Sequence, residues 1–236
     1  MVESRPLDSL AKDIGLGSHE HIALVGGGGK TTLLHALADQ LVGSVVLTST
    51  TKMGSDQHRG RPVLVAPTTS EIMAAVARSP VVVWKSIYGE KALGVSTESC
   101  DEWFGVVDHM IVEADGSRRR PFKAPAGHEP VVGDTTTTMI SVIGADALGR
   151  VIGDQCHRPL RVAALAGCTP YERLSPASAA SVLLHERGAR KEMPLRARLV
   201  IAVTKVDAVN IPFVDELVGE LNDRSPTTAV AVLEFE

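Results

Sequence analysis

The stretch that decides the fold is HIALVGGGGKTT, residues 21–32. Residues 21–25 predict a buried strand. Leu33, Leu34 and Leu37 then recur at the spacing of one helix face. Backbone N–H groups in a glycine-rich turn can point together at phosphate oxygens, and the positive end of the following helix reinforces them. The stretch therefore predicts a strand, a phosphate-binding loop and a helix.

Each residue of the loop has a predicted role in binding a nucleotide. Glycine is needed where a Cβ atom would block the close approach of a phosphate. The Lys30 ammonium would reach the β- and γ-phosphates, the Thr31 hydroxyl would ligate Mg²⁺, and Thr32 would start the helix. The predicted nucleotide-binding residues of the loop are Gly26, Gly27, Gly28, Gly29, Lys30, Thr31 and Thr32.

The loop departs from the usual G-x-x-x-x-G-K-[ST] pattern at its first position. Leu24 stands where that pattern has glycine. The remaining run resembles the loop of the deviant P-loop class, which includes the septum-positioning and nitrogenase-iron-protein ATPases. Val25 stands where that class has its signature lysine, so the second-lysine mechanism of the class is not carried over.

Along the rest of the chain, apolar runs bounded by turn residues alternate with stretches of helical period, which is typical of βα units. We predict an α/β, three-layer P-loop NTPase fold with a mainly parallel sheet and helices on both faces. The chain has 236 residues, and we expect a single domain over 1–236 with a functional loop and an elaboration at about 116–190. Further strands are predicted at residues 44–47, 81–85, 108–114, 139–143, 198–203 and 229–233. Further helices are predicted at residues 69–78, 161–166, 178–186 and 214–221.

Acidic residues end the strand predicted at 108–114. A site of this kind needs a carboxylate at the end of a neighbouring strand to hold Mg²⁺, directly or through water. Strand alternation puts Glu113 and Asp115 on the same side. We assign both to catalysis together with Lys30, with Asp115 as the preferred metal ligand, and Glu113 also fits a D/E-x-x-G switch ending at Gly116. A solvated or helix-capping acidic pair is the alternative.

A threonine-rich segment after the second predicted strand offers another hydroxyl to the metal. The predicted metal ligands are therefore Thr31, Asp115, Glu113 and Thr50. The alternative is that Thr50 and its neighbouring threonines are there because threonine favours strand ends and turns.

The residues Thr204-Lys205-Val206-Asp207 end another buried strand and match [NT]-K-x-D, the guanine-reading element of GTPases. An ionised Asp207 accepts from guanine N1–H and N2–H₂ together, whereas adenine offers no such pair. The Lys205 stem would lie against the purine face, at a strand end where open α/β sheets bind ligands. We predict that Thr204, Lys205 and Asp207 bind the base and that GTP is preferred over ATP. A plain loop is the alternative.

The segment from 116 to 133 is polar, basic and rich in Pro and Gly, and it predicts a long functional loop. Its positive charge would lie beside the γ-phosphate, where an anionic second substrate or a transition-state charge would be met. We assign Gly116, Arg118, Lys123 and His128 to a second substrate or a switch. The alternative is a solvated basic loop.

Composition excludes several classes of protein. The net charge of −4 provides no basic field for nucleic acid. No apolar run approaches the roughly 20 residues that span a bilayer, so we expect a cytoplasmic protein with no membrane partner. The three cysteines form no CxxC pair, and Cys156 beside His157 is better interpreted as a buried thiol than as a ligand for a soft chalcogen or metal.

Several motifs together resemble the YqeC family. They are Thr51-Lys52-Met53, Glu113-Ala114-Asp115-Gly116-Ser117, Lys123-Ala124-Pro125, His128-Glu129-Pro130, Ile143-Gly144-Ala145-Asp146-Ala147-Leu148-Gly149 and His157-Arg158-Pro159. The resemblance covers nearly the whole chain and implies an accessory protein of selenium-dependent molybdenum hydroxylases, or a selenium-cofactor biosynthesis protein. It also implies an enzyme that carries such a cofactor as a partner.

These observations predict a Mg²⁺-dependent NTPase, with GTP or ATP as substrate, that serves maturation or insertion of a selenium or molybdenum cofactor. Two alternatives stay open. One is a small-molecule kinase that transfers the γ-phosphoryl group to an acceptor held by the basic loop. The other is a non-catalytic nucleotide-binding chaperone or scaffold. Whether the protein forms a homodimer also stays open.

Overall fold

The computed structural model describes residues 5–234. Their strands are β1 (Arg5–Pro6), β2 (Glu20–Gly26), β3 (Val45–Ser49), β4 (Lys52–Gly54), β5 (Val63–Val65), β6 (Val81–Trp84), β7 (Ser86–Tyr88), β8 (Lys91–Leu93), β9 (His109–Glu113), β10 (Phe122–Lys123), β11 (Thr138–Gly144), β12 (Cys156–His157), β13 (Arg198–Thr204) and β14 (Ala229–Glu234). Their α-helices are α1 (Leu10–Asp13), α2 (Lys30–Gln40), α3 (Thr69–Val76), α4 (Thr97–Phe104), α5 (Ile152–Gln155), α6 (Pro159–Ala166), α7 (Pro176–Leu184) and α8 (Ile211–Arg224). Short 3₁₀ turns cover Leu7–Ser9, Ser55–His58 and Ala145–Ala147.

The main sheet of the described residues has nine strands, all parallel, in the order β1-β14-β13-β11-β2-β9-β3-β6-β5. Strand β2 lies between β11 and β9, and Leu24 is opposite Glu113 in the β2–β9 register. Because the strands are parallel, the loops after β2, β9, β11 and β13 all emerge at the same edge of the sheet. Open α/β sheets bind ligands at that edge.

Both faces of the sheet are covered by helices. Along β13, Val200 and Ala202 pack into a core with α1 and α2. The alternate residues Ile201 and Val203 pack into a second core with α6, α7 and α8. Helices α3 and α4 cover the remaining part of that second face. Strands that are buried on both faces have continuous apolar sequences, as the central strands of this sheet do. The predicted α/β class, with a mainly parallel sheet and helices on both faces, is confirmed.

A three-stranded antiparallel sheet in the order β4-β8-β7, called the small sheet below, was not predicted. It is joined to the end of β3, because Gly94 donates to Thr51 O and Val95 donates to Ser49 O. Its strands have three residues each, too few to give a readable alternation. The small sheet therefore extends from the end of β3, which is separated from β2 by β9.

The segment predicted as a long loop at 116–133 differs from that expectation. Residues 121–126 are buried, and β10 pairs with β12 in parallel. Pro121 O also accepts a hydrogen bond from Gly144 N at 2.8 Å. This segment is therefore packed into the protein next to the loop that follows β2. No helix within residues 5–234 has the length and apolar character needed to cross a bilayer.

Candidate functional site

The four glycines after β2, residues 26–29, form a tight turn that we call the glycine loop. Gly28 has φ +88°, and a Cβ atom there would lie 2.2 Å from Gly144 N. Gly27 would place a Cβ atom 2.4 Å from Arg120 O. Gly29 precedes α2 with φ +118°. The loop thus needs glycine for its own conformation and for the two segments packed against it.

Helix α2 begins at Lys30, directly after the glycine loop. The first N–H groups of a helix have no partner inside the helix, and they give its N-terminus a partial positive charge. Thr31 and Thr32 lie in this first turn, and the Thr32 hydroxyl accepts a hydrogen bond from Arg59 Nη2 at 3.0 Å. The glycine loop and the start of α2 therefore present backbone donors to the same region.

The Lys30 ammonium is buried and held by acceptors on three sides. It donates to Gly26 O at 2.6 Å and lies 3.1 Å from Asp115 Oδ1 and 3.7 Å from Glu113 Oε1. Burial lowers the pKa of Lys30, but the charges of Asp115 and Glu113 raise it by more, so this pKa lies above its ordinary value. Lys30 is therefore a fixed positive charge at neutral pH.

Glu113 and Asp115 lie on the same side, as alternation predicts, but they occupy different surroundings. Glu113 Oε2 accepts from the Thr31 hydroxyl at 2.8 Å, and Glu113 lines the open pocket described below. Asp115 is 1% exposed, and its Oδ2 accepts from Gly26 N at 3.0 Å. Asp115 was the preferred metal ligand, yet the carboxylate beside Thr31 and the pocket is that of Glu113. The reason is that β9 ends at Glu113, and the chain beyond the strand turns Asp115 under the glycine loop.

Asp115 belongs to a buried charged cluster that was not predicted from the sequence. Lys123 Nζ lies 3.0 Å from Asp115 Oδ2 and 2.8 Å from Glu129 Oε2, and it donates to Gly116 O at 2.7 Å. Arg158 Nη1 lies 2.8 Å from Glu129 Oε2. Burial raises the pKa of Glu129. The hydrogen bond and charge of Lys123 and the charge of Arg158 lower it by more, so this pKa lies below its ordinary value. The cluster connects Lys30 to α6, which begins after Arg158.

An open pocket of about 680 Å³ lies over the glycine loop and the start of α2. Its size falls within the usual range for small-molecule sites. The floor is formed by residues 28–32, one side by the small sheet and the Ser55–His58 turn, and the other side by residues 116–119 and Lys205. Six basic side chains and three acidic ones line the pocket: Lys30, Lys52, Lys91, Arg118, Arg119 and Lys205, and Asp56, Glu90 and Glu113. The pocket is therefore suited to an anion.

The predicted base-binding residues lie at the end of β13, two strands from β2. The buried Thr204 hydroxyl donates to Gly28 O and so fixes this strand end to the glycine loop. Lys205 lines the pocket and lies 2.9 Å from Asp146 Oδ2. Asp207 is exposed, and its Oδ1 accepts from Val209 N and Asn210 N. Both of these hydrogen bonds fall on one carboxylate oxygen, and Asp207 itself does not line the pocket.

The structure separates the remaining predicted site residues. Gly116 and Arg118 line the pocket, whereas Lys123 is buried beneath it in the charged cluster. His128 lines a different depression, together with Lys191, and does not line the pocket over the glycine loop. The Thr50 hydroxyl donates to Val131 O at 2.7 Å instead of facing Glu113.

Cys156 has the surroundings of a structural thiol. It is 3% exposed, and burial raises its pKa to about 12. Burial also lowers the pKa of the neighbouring His157 to about 4. Within residues 5–234 no group of three or more His, Cys, Asp or Glu side chains is arranged to hold a metal ion. The buried-thiol interpretation of Cys156 therefore fits its surroundings.

No functional role was predicted from the sequence for Lys52, Lys91, Glu129 or Arg158. Lys52 and Lys91 reach the pocket only through the small sheet. Glu129 and Arg158 meet through the pairing of β10 with β12. The motifs Thr51-Lys52-Met53, His128-Glu129-Pro130 and His157-Arg158-Pro159 contain three of these residues, so the resemblance was the one available signal.

The fold and the site define an α/β protein with three layers, in which a glycine loop, a buried lysine and two strand-end carboxylates meet at the carboxyl edge of a parallel sheet. The chain belongs to the family described as YqeC protein, which matches residues 22–160. It is 33% identical over 207 residues to the Escherichia coli (strain K12) protein named "Uncharacterized protein YqeC", a match that covers 82% of this chain and 80% of that protein. No solved structure matches the chain. The family predicted from the motifs is thus confirmed.

Proposed function

We propose that this protein binds a nucleoside triphosphate with Mg²⁺ at the glycine loop and hydrolyses the γ-phosphate. The observation that carries the proposal is the convergence of Lys30, the Thr31 hydroxyl and Glu113 at one pocket, over the N-terminus of α2. A glycine turn before a helix N-terminus binds phosphate through backbone N–H groups and the helix dipole. The excess of basic side chains around the pocket supports an anionic ligand as well.

The donor set fits Mg²⁺. Thr31 Oγ1 and Glu113 Oε2 are 2.8 Å apart, and both are hard oxygen ligands. Mg²⁺ is usually held by one or two carboxylates together with substrate phosphates and water, so a dense acidic cage is not required. When bound, the ion neutralises charge that develops on the phosphate oxygens. Thr31 and Glu113 would hold it, while Lys30 would bind the terminal phosphates.

Lys30 also has to change partners in this proposal. Its ammonium lies between Gly26 O, Asp115 and Glu113. A triphosphate brings a stronger anion to the same place, and Asp115 keeps Lys123 as a partner when Lys30 turns toward the phosphate. This exchange couples nucleotide binding to the charged cluster, and through it to the segment after Gly116. We propose that the segment after Gly116 rearranges when the γ-phosphate is bound and again when it is lost.

For the base, we propose guanine in preference to adenine. Support comes from the position of Thr204, Lys205 and Asp207, on the β13 side of the glycine loop and away from Glu113 on β9. The second carboxylate oxygen of Asp207, Oδ2, would accept from guanine. In a competition of GTP and ATP, Asp207→Asn should reduce the preference for GTP. If ATP binds as well as GTP to the unaltered protein, guanine recognition is wrong, although nucleotide binding stands.

The resemblance described above supports a place for this activity in the maturation or insertion of a selenium or molybdenum cofactor of a hydroxylase. The test of the reaction itself is release of inorganic phosphate from GTP and from ATP with Mg²⁺. Lys30→Ala should abolish release, whereas Lys85→Ala, an exposed lysine outside the pocket, should leave it intact. Tight binding without release would favour the scaffold alternative, and release only in the presence of an added acceptor would favour the kinase.

A further inference from the structure

The pocket over the glycine loop continues past the proposed nucleotide site to the small sheet, and this part has a charge of its own. In the β4–β8 pairing Lys91 is opposite Gly54, and Lys52 is two residues from Gly54 along β4. Residues directly opposite share a face, as do residues i and i+2, so Lys52 and Lys91 lie on one face of the small sheet. Both line the pocket. Two ammonium groups are therefore presented to it from the same wall.

These two lysines differ from the lysines already assigned. Lys30 and Lys205 each have a carboxylate within 4 Å. In the described part of the chain, neither Lys52 nor Lys91 lies within that distance of a carboxylate, although Asp56 and Glu90 line the same end of the pocket. Like charges placed on one face repel one another, and an anion between them relieves that repulsion. Gly54 lies between them, and a Cβ atom there would lie 2.5 Å from Asp56 Oδ1, so this carboxylate borders the same wall.

The direction of the pocket decides what this wall would meet. Lys205 lies on the β13 side of the glycine loop, whereas Glu113 lies on the β9 side, next to β3 and the small sheet. A nucleotide whose base is near Lys205 and whose metal is near Glu113 has its terminal phosphate directed at the small sheet. The wall bearing Lys52 and Lys91 is thus beyond the γ-phosphate and not beside the base.

We propose that the face of the small sheet bearing Lys52 and Lys91 binds a second, anionic small molecule next to the terminal phosphate of the bound nucleotide. The proposal rests on the proposed function, because the nucleotide sets the other boundary of this subsite. Ser55 and Gln57 lie at the same end of the pocket and give it neutral polar groups, while Asp56 and Glu90 place carboxylates at its border. The ligand class is a small molecule with a phosphate-like or carboxylate group.

The test uses inorganic phosphate as the probe. The full-length protein is saturated with Mg²⁺ and a non-hydrolysable GTP analogue, and phosphate is titrated by calorimetry. Because two exposed charges are lost, Lys52→Gln with Lys91→Gln should weaken phosphate binding about tenfold or more, and by clearly more than it weakens binding of the analogue. Lys85→Gln, an exposed lysine next to the small sheet but outside the pocket, should weaken neither.

The outcomes separate the two proposals. If the analogue does not bind the unaltered protein, the proposed function fails and this inference fails with it. If the analogue binds but phosphate does not, or if the double substitution leaves phosphate binding intact, only the second subsite is overturned. An equal loss for phosphate and analogue also overturns it, because the lysines then serve the nucleotide itself.

Discussion

Asp115 and Glu113 are two residues apart, but their substitution should affect different properties. We expect the Asp115 substitution to lower the stability and the Glu113 substitution to lower the Mg²⁺-dependent affinity for nucleotide. Asp115→Asn removes a charge that lies 3.1 Å from Lys30 Nζ and 3.0 Å from Lys123 Nζ, while the side chain is 1% exposed. Removing one partner of a buried ion pair costs about 3–5 kcal/mol, and here Lys30 and Lys123 would stay buried with only Glu113 and Glu129 as carboxylate partners. For a chain of this length that corresponds to a fall in Tm of roughly 6–20 °C.

Glu113→Gln is the matched variant. Glu113 is at the edge of the pocket, 3.7 Å from Lys30 Nζ, and its side chain accepts a hydrogen bond from the Thr31 hydroxyl. Its loss should cost less than about 1.5 kcal/mol of unfolding free energy. Mg²⁺-dependent nucleotide affinity should nevertheless fall by about tenfold or more, because a proposed metal ligand is lost.

The assays are urea unfolding for stability and nucleotide titration with and without Mg²⁺. The reasoning is refuted if Asp115→Asn is as stable as the unaltered protein. It is equally refuted if Glu113→Gln binds nucleotide with an unchanged Mg²⁺ dependence. The second result would favour Asp115 as the metal ligand, as preferred from the sequence.

Two further predictions concern stability. Gly28→Ala should destabilise the protein by at least about 2 kcal/mol in urea unfolding, because φ is positive and the new Cβ would meet Gly144 N. Gly219→Ala, in α8 with nothing within 4 Å of the new Cβ, should instead stabilise it by about 0.5–1 kcal/mol, and a similar loss in both variants would contradict the account. Burial lowers the pKa of His21 from 6.5 to about 4. The unfolded chain therefore takes up this proton at a higher pH than the folded one, and about 3 kcal/mol of stability present above pH 6.5 should be lost as the pH falls toward 4. His21→Gln should flatten that loss in urea unfolding across the pH range, and the exposed His128→Gln should not; identical pH profiles for both variants would disprove it.

The parts of the fold that sequence analysis predicted are those with a local signal. Strand β2, the glycine loop and α2 follow one another within 21 residues, from Glu20 to Gln40, and each has its own periodicity or composition. The apolar runs of β11 and β13 likewise predict buried strands, since both faces of the sheet are covered. Short distances along the chain make such patterns readable.

The parts that were missed depend on contacts between distant residues. Lys52 and Lys91 share a face only because two three-residue strands pair, and such strands are too short to show alternation. Which of Glu113 and Asp115 lines the pocket depends on distant residues for a related reason. Alternation places both on one side, but the turn after β9 and the position of Lys123 decide which of them is buried. Neither the shared face of the two lysines nor the burial of Asp115 can be predicted from the neighbouring residues in the sequence.

The central claim is that the glycine loop binds a nucleoside triphosphate through Lys30 with Mg²⁺. The most direct test is equilibrium binding of GTP to the purified protein, with and without Mg²⁺, and to Lys30→Ala, with folding of the variant checked by its unfolding curve. The account predicts saturable binding to one site, weakened by removal of Mg²⁺ and by about tenfold or more in Lys30→Ala, since a buried charged contact to the phosphates is lost. Absence of binding, or equal affinity in folded Lys30→Ala, would contradict it.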